Sequence, residues 1–251
     1  MIELRNVHKK FGPHVVLDGV NFSVAAGETV ALLGPSGSGK SVLLKHIIGL
    51  MRPDSGDVLV EGASVPGLQR KELAALRTKF GYAFQTGALF DSMTVFENIR
   101  LGISDDHCYR DLGYCRSRVA ECLQLVNLSE DVGRLMPAEL SGGMRKRVGI
   151  ARAIAGSPKY LLYDEPTSGL DPVNADAMDA LIEGLQKRLH ATSIVVSHDV
   201  RGSFKIADRI ALLHNGRIRA VGTAEEFMAA KDSVVREFLE RDFEFSAPGG
   251  R

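Results

Sequence analysis

The sequence predicts an α/β protein: a mainly parallel sheet with helices on both faces, an antiparallel β subdomain and a helical insertion. Three observations predict it. Short apolar, β-branched runs alternate with helical periods over residues 29–87 and again over 160–196, the pattern of βαβ units. Two earlier runs, 2–7 and 15–24, flank Gly12-Pro13 and read as an antiparallel pair. From about 88 to 157 the strand signal fades and helical periods appear at 94–101, 109–126 and 143–156. The expected organisation is one domain over 1–245. Its core is 1–87 and 158–230, its helical subdomain is about 88–157, and 231–251 form a C-terminal helix and tail.

The elements follow in order. Thr29–Leu33 is short, apolar and partly β-branched, a buried strand. Lys40–Leu50 carries apolar residues at 43, 44, 47, 48 and 50, a helical spacing. Pro53–Asp57 is a turn and Val58–Val60 a strand; 69–78 reads as a helix and Phe80–Phe84 as a strand. After the helical region, Tyr160–Tyr163 is a strand, 173–188 a helix and Ser193–Val196 a strand. Ile210–Leu213 and Arg217–Val221 flank Asn215-Gly216, a hairpin turn. Thr223-Ala224-Glu225-Glu226 is a capping box that opens a short helix. Residues 233–242 read as a last helix and Ser246–Gly250 as a frayed tail.

Composition narrows the function classes. Lys+Arg and Asp+Glu are equal at 31 each, without the basic excess of a general nucleic-acid binder, so no nucleic-acid partner is expected. No apolar run approaches the roughly 18 residues that span a bilayer, and the N-terminus has no secretory pattern. The expectation is a cytosolic chain that meets a membrane only through a partner. Cys108, Cys115 and Cys122 are spaced by seven, which on a helix places them near one stripe. They are either a metal or redox group or small residues on a semi-buried face.

Residues Gly34, Pro35, Ser36, Gly37, Ser38, Gly39, Lys40 and Ser41 match G-x-x-x-x-G-K-[ST] between a strand and a helix. That context aims backbone N–H groups and a helix dipole at one phosphate. Lys40 can reach β- and γ-phosphates and Ser41 can ligate Mg²⁺. A second candidate is Asp164-Glu165 at the carboxyl end of an apolar strand, where open α/β sheets bind ligands. Asp164 suits the Mg²⁺ shell. Glu165 suits the base, or water-orienting group, for attack on the γ-phosphate.

With Leu140-Ser141-Gly142-Gly143-Met144-Arg145 placed 23 residues before Asp164, the chain resembles an ATP-binding cassette (ABC) ATPase over nearly its whole length. The resemblance implies a P-loop NTPase fold of ABC type and ATP with Mg²⁺ as cofactors. It implies a head-to-tail dimer in which Ser141, Gly142 and Gly143 cap the nucleotide of the second copy. By the same resemblance Phe11 is the aromatic that stacks on adenine, and Gln85 ligates Mg²⁺ and senses the γ-phosphate. Ser168-Gly169-Leu170-Asp171 crosses the dimer interface, and His198, 33 residues after Glu165, contacts the γ-phosphate. Met144 departs from the usual glutamine, and a methionine cannot supply an amide's hydrogen bonds.

Only 101 residues separate Lys40 from Ser141, too few for the coiled coil of chromosome-maintenance relatives. A single cassette fits a transporter whose membrane subunits are separate chains. Met144 and the segment Phe84–Asn98 resemble the ATPases of Mla-type, MCE-associated lipid transporters. That resemblance implies phospholipid transport between membranes, with a permease, an MCE-domain protein and a STAS-type small subunit as partners. It places the chain on the cytoplasmic face of the inner membrane. Leu89, Phe90 and Met93 either form a socket for the permease's coupling helix or pack inside the helical subdomain. The end of the chain, Val234–Leu239, also resembles that group, whose tail can reach a partner subunit. Two alternatives stay open: an importer ATPase for a small polar solute, and a soluble regulatory ATPase without a permease.

Overall fold

The computed structural model describes residues 1–244, with side chains described to 240; the Ser246–Gly250 stretch lies outside the described residues. In chain order the elements begin with strands Ile2–Phe11 (β1), His14–Val24 (β2) and Thr29–Leu33 (β3), helix Lys40–Ile47 (α1), and strands Ser55–Val60 (β4) and Ala63–Ser64 (β5). Helix Arg70–Arg77 (α2) and strand Phe80–Ala83 (β6) follow, then helices Val95–Arg100 (α3), Asp106–Arg110 (α4), Leu112–Leu125 (α5) and Gly142–Ile154 (α6). Next come Tyr160–Asp164 (β7), Pro172–Leu189 (α7), Thr192–Ser197 (β8), Val200–Ile206 (α8), Arg209–His214 (β9), Arg217–Gly222 (β10), Ala224–Met228 (α9) and Ser233–Glu244 (α10).

Contacts cluster into two compact units. One holds Met1–Leu73 and the described residues from Ile194 on; the other holds Ala74–Ser193. The first unit carries an antiparallel sheet of order β2-β1-β4-β5. It also carries the strands β10-β9-β3-β8, with β3 parallel to β9 and β10 antiparallel to it. Asn215 and Gly216 both have positive φ, 49° and 73°, the geometry of a tight hairpin turn. Ala31, Leu33, Ile210 and Leu212 of the sheet bury against Val200, Phe227, Val235 and Leu239. The apolar side of α10 thus packs on its own chain.

The second unit pairs β6 with β7 in parallel, Tyr82 opposite Leu162. Its α6 runs close to the backbone of residue 87. A Cβ on Gly149 would lie 2.9 Å from Gly87 Cα, and one on Gly81 would lie 2.3 Å from the Ala153 carbonyl oxygen. Arg152 donates to the carbonyls of Gly87 and Ala88, each at 2.8 Å. This close packing fixes α6 relative to the loop after β6.

Several elements differ from the sequence expectation: β4 starts at Ser55, within the expected turn, and β5 had no forecast. β1 continues past residue 7 to Phe11, because bulges at Leu4/Val7, Val7/Lys9 and Lys9/Lys10 break the two-residue alternation that marks a strand. The helix expected over 109–126 is two helices. Asp111 is extended between them, and its carboxylate accepts from Gly113 and Tyr114 N–H to open α5. Cys108 therefore sits on α4 and buried Cys115 and Cys122 on α5, with the Cys115 thiol donating to the Cys108 carbonyl at 3.4 Å. Burial pushes the Cys122 thiol up to about 11, which disfavours the thiolate a metal or redox role needs. Finally, α8 is a helix without a sequence forecast: seven residues opened by Asp199, which accepts from Gly202 N–H.

Candidate functional site

In the first unit, β3 ends at Leu33 and the chain turns through Gly34–Gly39 into α1. The turn depends on glycine. A Cβ on Gly34 would lie 2.3 Å from the Leu213 carbonyl oxygen and 2.8 Å from Ser38 Oγ. Gly39 has φ 103°, and its Cβ would lie 3.0 Å from Val16 Cγ1. No side chain caps α1, so the positive end of its dipole faces the loop. Lys40 is almost fully buried and its ammonium donates to the Gly34 and Pro35 carbonyls at 2.7 and 3.1 Å. Ser38 Oγ is buried without a hydrogen-bond partner, an orphan that an anionic ligand in this loop would satisfy. The loop lines a cavity of about 690 Å³ together with His14, Val15, Val16, Asp18, His214, Asn215 and Gly216. Polyphosphate and a sugar or base fit such a space, and the loop's chemistry fits the phosphates.

Two other residues of this unit were singled out in the sequence. Phe11 ends β1, is 45% exposed and has Lys9 Nζ 5.6 Å from its ring centroid. Its ring offers a face for stacking, although the residues that line the cavity are its neighbours on β2. His198 follows β8 and is exposed.

In the second unit the predicted residues gather around the end of β7. Tyr82 Oη donates to Asp164 Oδ2 at 2.9 Å. Desolvation, and then Asp164, push the Tyr82 hydroxyl well above the usual range, so it stays a donor. Glu165 has φ 53°, a conformation costing a non-glycine residue about 1–3 kcal/mol and typical of functional turns. Its carbonyl oxygen accepts from Ser168 N–H and from Lys146 Nζ, each at 3.2 Å. Gln85 Nε2 donates to Ser168 Oγ at 3.2 Å, which leaves the amide's acceptor oxygen for a cation. Gln85 and Asp164 of this unit offer an amide oxygen and a carboxylate, and Ser41 of the first unit offers a hydroxyl, each an oxygen donor of the kind that suits Mg²⁺.

Asp171 caps α7: its carboxylate accepts from Asn174 N–H at 3.1 Å and from Asn174 Nδ2 at 2.6 Å. The Asn174 bonds hold its pKa below the usual carboxylate range. Ser141 caps α6 through Oγ, which accepts from Met144 N–H at 3.2 Å. That bond uses only the backbone of residue 144, so methionine there leaves the cap intact. A Cβ on Gly142 would meet nothing within 4 Å, and one on Gly143 only Leu170 Cδ2 at 3.8 Å. Packing within the chain does not require these glycines, which suits a surface meant for close approach from outside.

The sequence reading missed Tyr82, Lys146 and Asn98. Tyr82 had a signal: opposite Leu162 in a parallel pair, it lies on the same face as Asp164 two residues on. Lys146 and Asn98 had none. Buried Asn98 donates to the carbonyls of Phe90, Met93 and Thr94 and accepts from Phe90 N–H. It folds the 90–94 segment so that Phe90 is 53% exposed while Leu89 and Met93 are half-buried.

A family model described as ABC transporter matches residues 17–168. A probable ribonucleotide transport ATP-binding protein (mkl) of Mycobacterium leprae is 40% identical over 238 residues, 95% of this chain and 68% of that one. The intermembrane phospholipid transport system ATP-binding protein MlaF of Haemophilus influenzae is 38% identical over 240 residues, 96% of this chain and 90% of that one. Among solved structures, a dimeric ATP-binding cassette in a post-hydrolysis state, bound to ADP and Pi, is 34% identical with a TM-score of 0.81. The match covers 89% of this chain and 99% of that one.

Proposed function

The chain belongs to the ABC transporter family of ATP-hydrolysing subunits, and from that premise we propose that it drives phospholipid transport between the inner and outer membranes. The observation that carries the reading is the likeness to MlaF, which covers 96% of this chain and 90% of the relative.

In this reading Gly34–Gly39 cradle the phosphates of ATP with backbone N–H groups, and Lys40 turns from its carbonyl partners to the β- and γ-phosphates. Phe11 stacks on the base. Ser41, Gln85 and Asp164 would hold Mg²⁺, which would supply neutralisation of the phosphate charge. Glu165 orients and deprotonates the attacking water, and His198 contacts the γ-phosphate. Ser141, Gly142 and Gly143 cap the γ-phosphate held by a second copy, while Asp171 anchors the loop that crosses that interface. The open space around Gly142 and Gly143 and the dimeric state of the solved relative support this head-to-tail arrangement.

No helix among the described residues is long and apolar enough to cross a membrane. The likeness to MlaF supports a place on the cytoplasmic face of the inner membrane, where the chain would act through a permease. An MCE-domain protein and a STAS-type small subunit complete the proposed complex, and exposed Phe90 is a contact for the permease. A second reading, transport of a polar solute, draws on the likeness to the mycobacterial protein named for ribonucleotide transport. Gentle extraction of the tagged protein from its native membranes, with mass spectrometry of proteins and lipids, separates the two. A permease, an MCE-domain protein and bound phospholipid are expected. A permease with a soluble solute-binding protein, and no lipid, would overturn the lipid reading and leave the ATP chemistry standing.

A further inference from the structure

We propose that Lys146 is a positioning residue for Glu165, tying the first turns of the signature helix to the peptide that carries the reacting carboxylate. The inference rests on the reading of Glu165 as the group that activates water.

The geometry is specific. Lys146 lies on α6 (Gly142–Ile154), five residues beyond its cap Ser141. Its Nζ donates to the Glu165 carbonyl oxygen at 3.2 Å, and Ser168 N–H donates to the same oxygen at 3.2 Å. Glu165 needs such restraint, because its φ of 53° is one that residues with side chains visit rarely. A carbonyl gripped by two donors fixes the plane of the peptide that follows, and with it the direction in which the side chain leaves the backbone. The remaining cations at the start of α6 are engaged elsewhere. Arg145 donates to the Leu140 carbonyl and Arg147 to that of Val126. Lys146 is half-buried, and desolvation lowers its pKa while Glu165 acts in the opposite direction. The ammonium is therefore drawn to Glu165 by charge as well as by the hydrogen bond.

The arrangement has a consequence for regulation. The cradle Ser141-Gly142-Gly143 and Lys146 share one and a half turns at the start of a single helix. A shift of that cradle on meeting the nucleotide of a second copy moves the Lys146 stem with it. Lys146 thereby reports engagement of the cradle to the turn at Glu165. From Glu165 the chain of bonds continues through Ser168 to Gln85.

The test measures Mg·ATP hydrolysis by the full chain for wild type, Lys146→Met, Lys146→Gln and Lys146→Arg, each alone and combined with Glu165→Gln, together with ATP affinity. Lys146→Met is expected to lower kcat about tenfold, a misplacement effect, with KM and ATP affinity unchanged. Lys146→Arg, which keeps cation and donor, should restore most of the rate, and Lys146→Gln part of it. In the Glu165→Gln background Lys146→Met should change the residual single-turnover rate less than twofold, because one residue acts through the other. An unchanged kcat, or the same tenfold fall in both backgrounds, overturns the proposal. If Lys146→Met does not bind ATP because it fails to fold, Lys146→Gln carries the same comparison. Normal turnover by Glu165→Gln alone would instead defeat the reading of Glu165 itself, which keeps the two failures apart.

Discussion

The loop at Gly34–Lys40 and the turn at Glu165 are held in opposite ways. Lys40 closes its loop onto carbonyls five and six residues away, and the loop's other requirements are glycines that let the backbone turn and pass close to β2 and β9. Around Glu165, Lys146 reaches from 19 residues back, while Tyr82 grips Asp164 and Gln85 grips Ser168 from 82 and 83 residues back. A loop made from its own sequence neighbours can form a binding site whenever its flanking strand and helix form. A turn held by distant side chains responds to whatever moves them, which suits a step that must be switched. In the proposed function, substrate grip and catalytic timing would fall to parts of the molecule with different structural supports.

The two regions should fail differently when broken, and this is the largest expected effect. Glu165→Gln should keep ATP affinity and lower hydrolysis about 10³-fold, within the range for loss of a general base. It should also accumulate an ATP-bound dimer on size exclusion. Lys40→Ala should weaken ATP binding roughly 10- to 100-fold, as expected when charge-assisted hydrogen bonds worth about 1.5–3 kcal/mol are lost. Equilibrium binding and single-turnover phosphate release separate the two profiles. Equal losses of affinity in both variants would erase the distinction.

How much was legible in the sequence follows the same division. The phosphate loop, the Asn215-Gly216 hairpin and the Thr223 capping box were readable because the residues that make each lie within a few positions of one another. Most strands and long helices were readable from their apolar period. What failed was also local in cause. The bulges in β1 hide its alternation, and one aspartate, Asp111, splits what looked like a continuous helix. The role of Lys146 had no signal, since its partner is a backbone carbonyl that any residue would offer. Asn98 was silent for the same reason, with its amide satisfied by main-chain groups of the 90–94 segment.

A smaller effect tests the long-range side of the comparison from Asp164. Tyr82→Phe keeps the ring and removes the hydroxyl that donates to Asp164 Oδ2. Losing a donor to a part-buried carboxylate should cost about 1–2 kcal/mol in urea unfolding. Support of a metal-binding carboxylate by an outer hydrogen bond is worth about 10- to 100-fold in affinity or activity. The Mg²⁺ concentration for half-maximal hydrolysis should therefore rise, with the maximal rate changed less than in Glu165→Gln. Unaltered Mg²⁺ dependence would show that Asp164 does not need the tyrosine for orientation.

The smallest expected effect belongs to Asp171, where a local device sits inside the long-range region. It opens α7 as its cap, with both oxygens bonded to Asn174, so its contribution resembles that of the phosphate loop in being made by near neighbours. Because the folded-state pKa is depressed, the ionised form is the one that stabilises. The stabilisation is complete above the ordinary carboxylate pKa and is lost as pH falls through the lower folded value. Asp171→Ala should therefore lower Tm at neutral pH, and the gap between variant and wild type should close progressively in acid. Exposure of the carboxylate keeps the effect modest and salt-sensitive. A gap that persisted unchanged to low pH would mean that Asp171 acts through packing of its turn rather than through its charge. In that event the interface loop, too, would depend on contacts beyond its own neighbours.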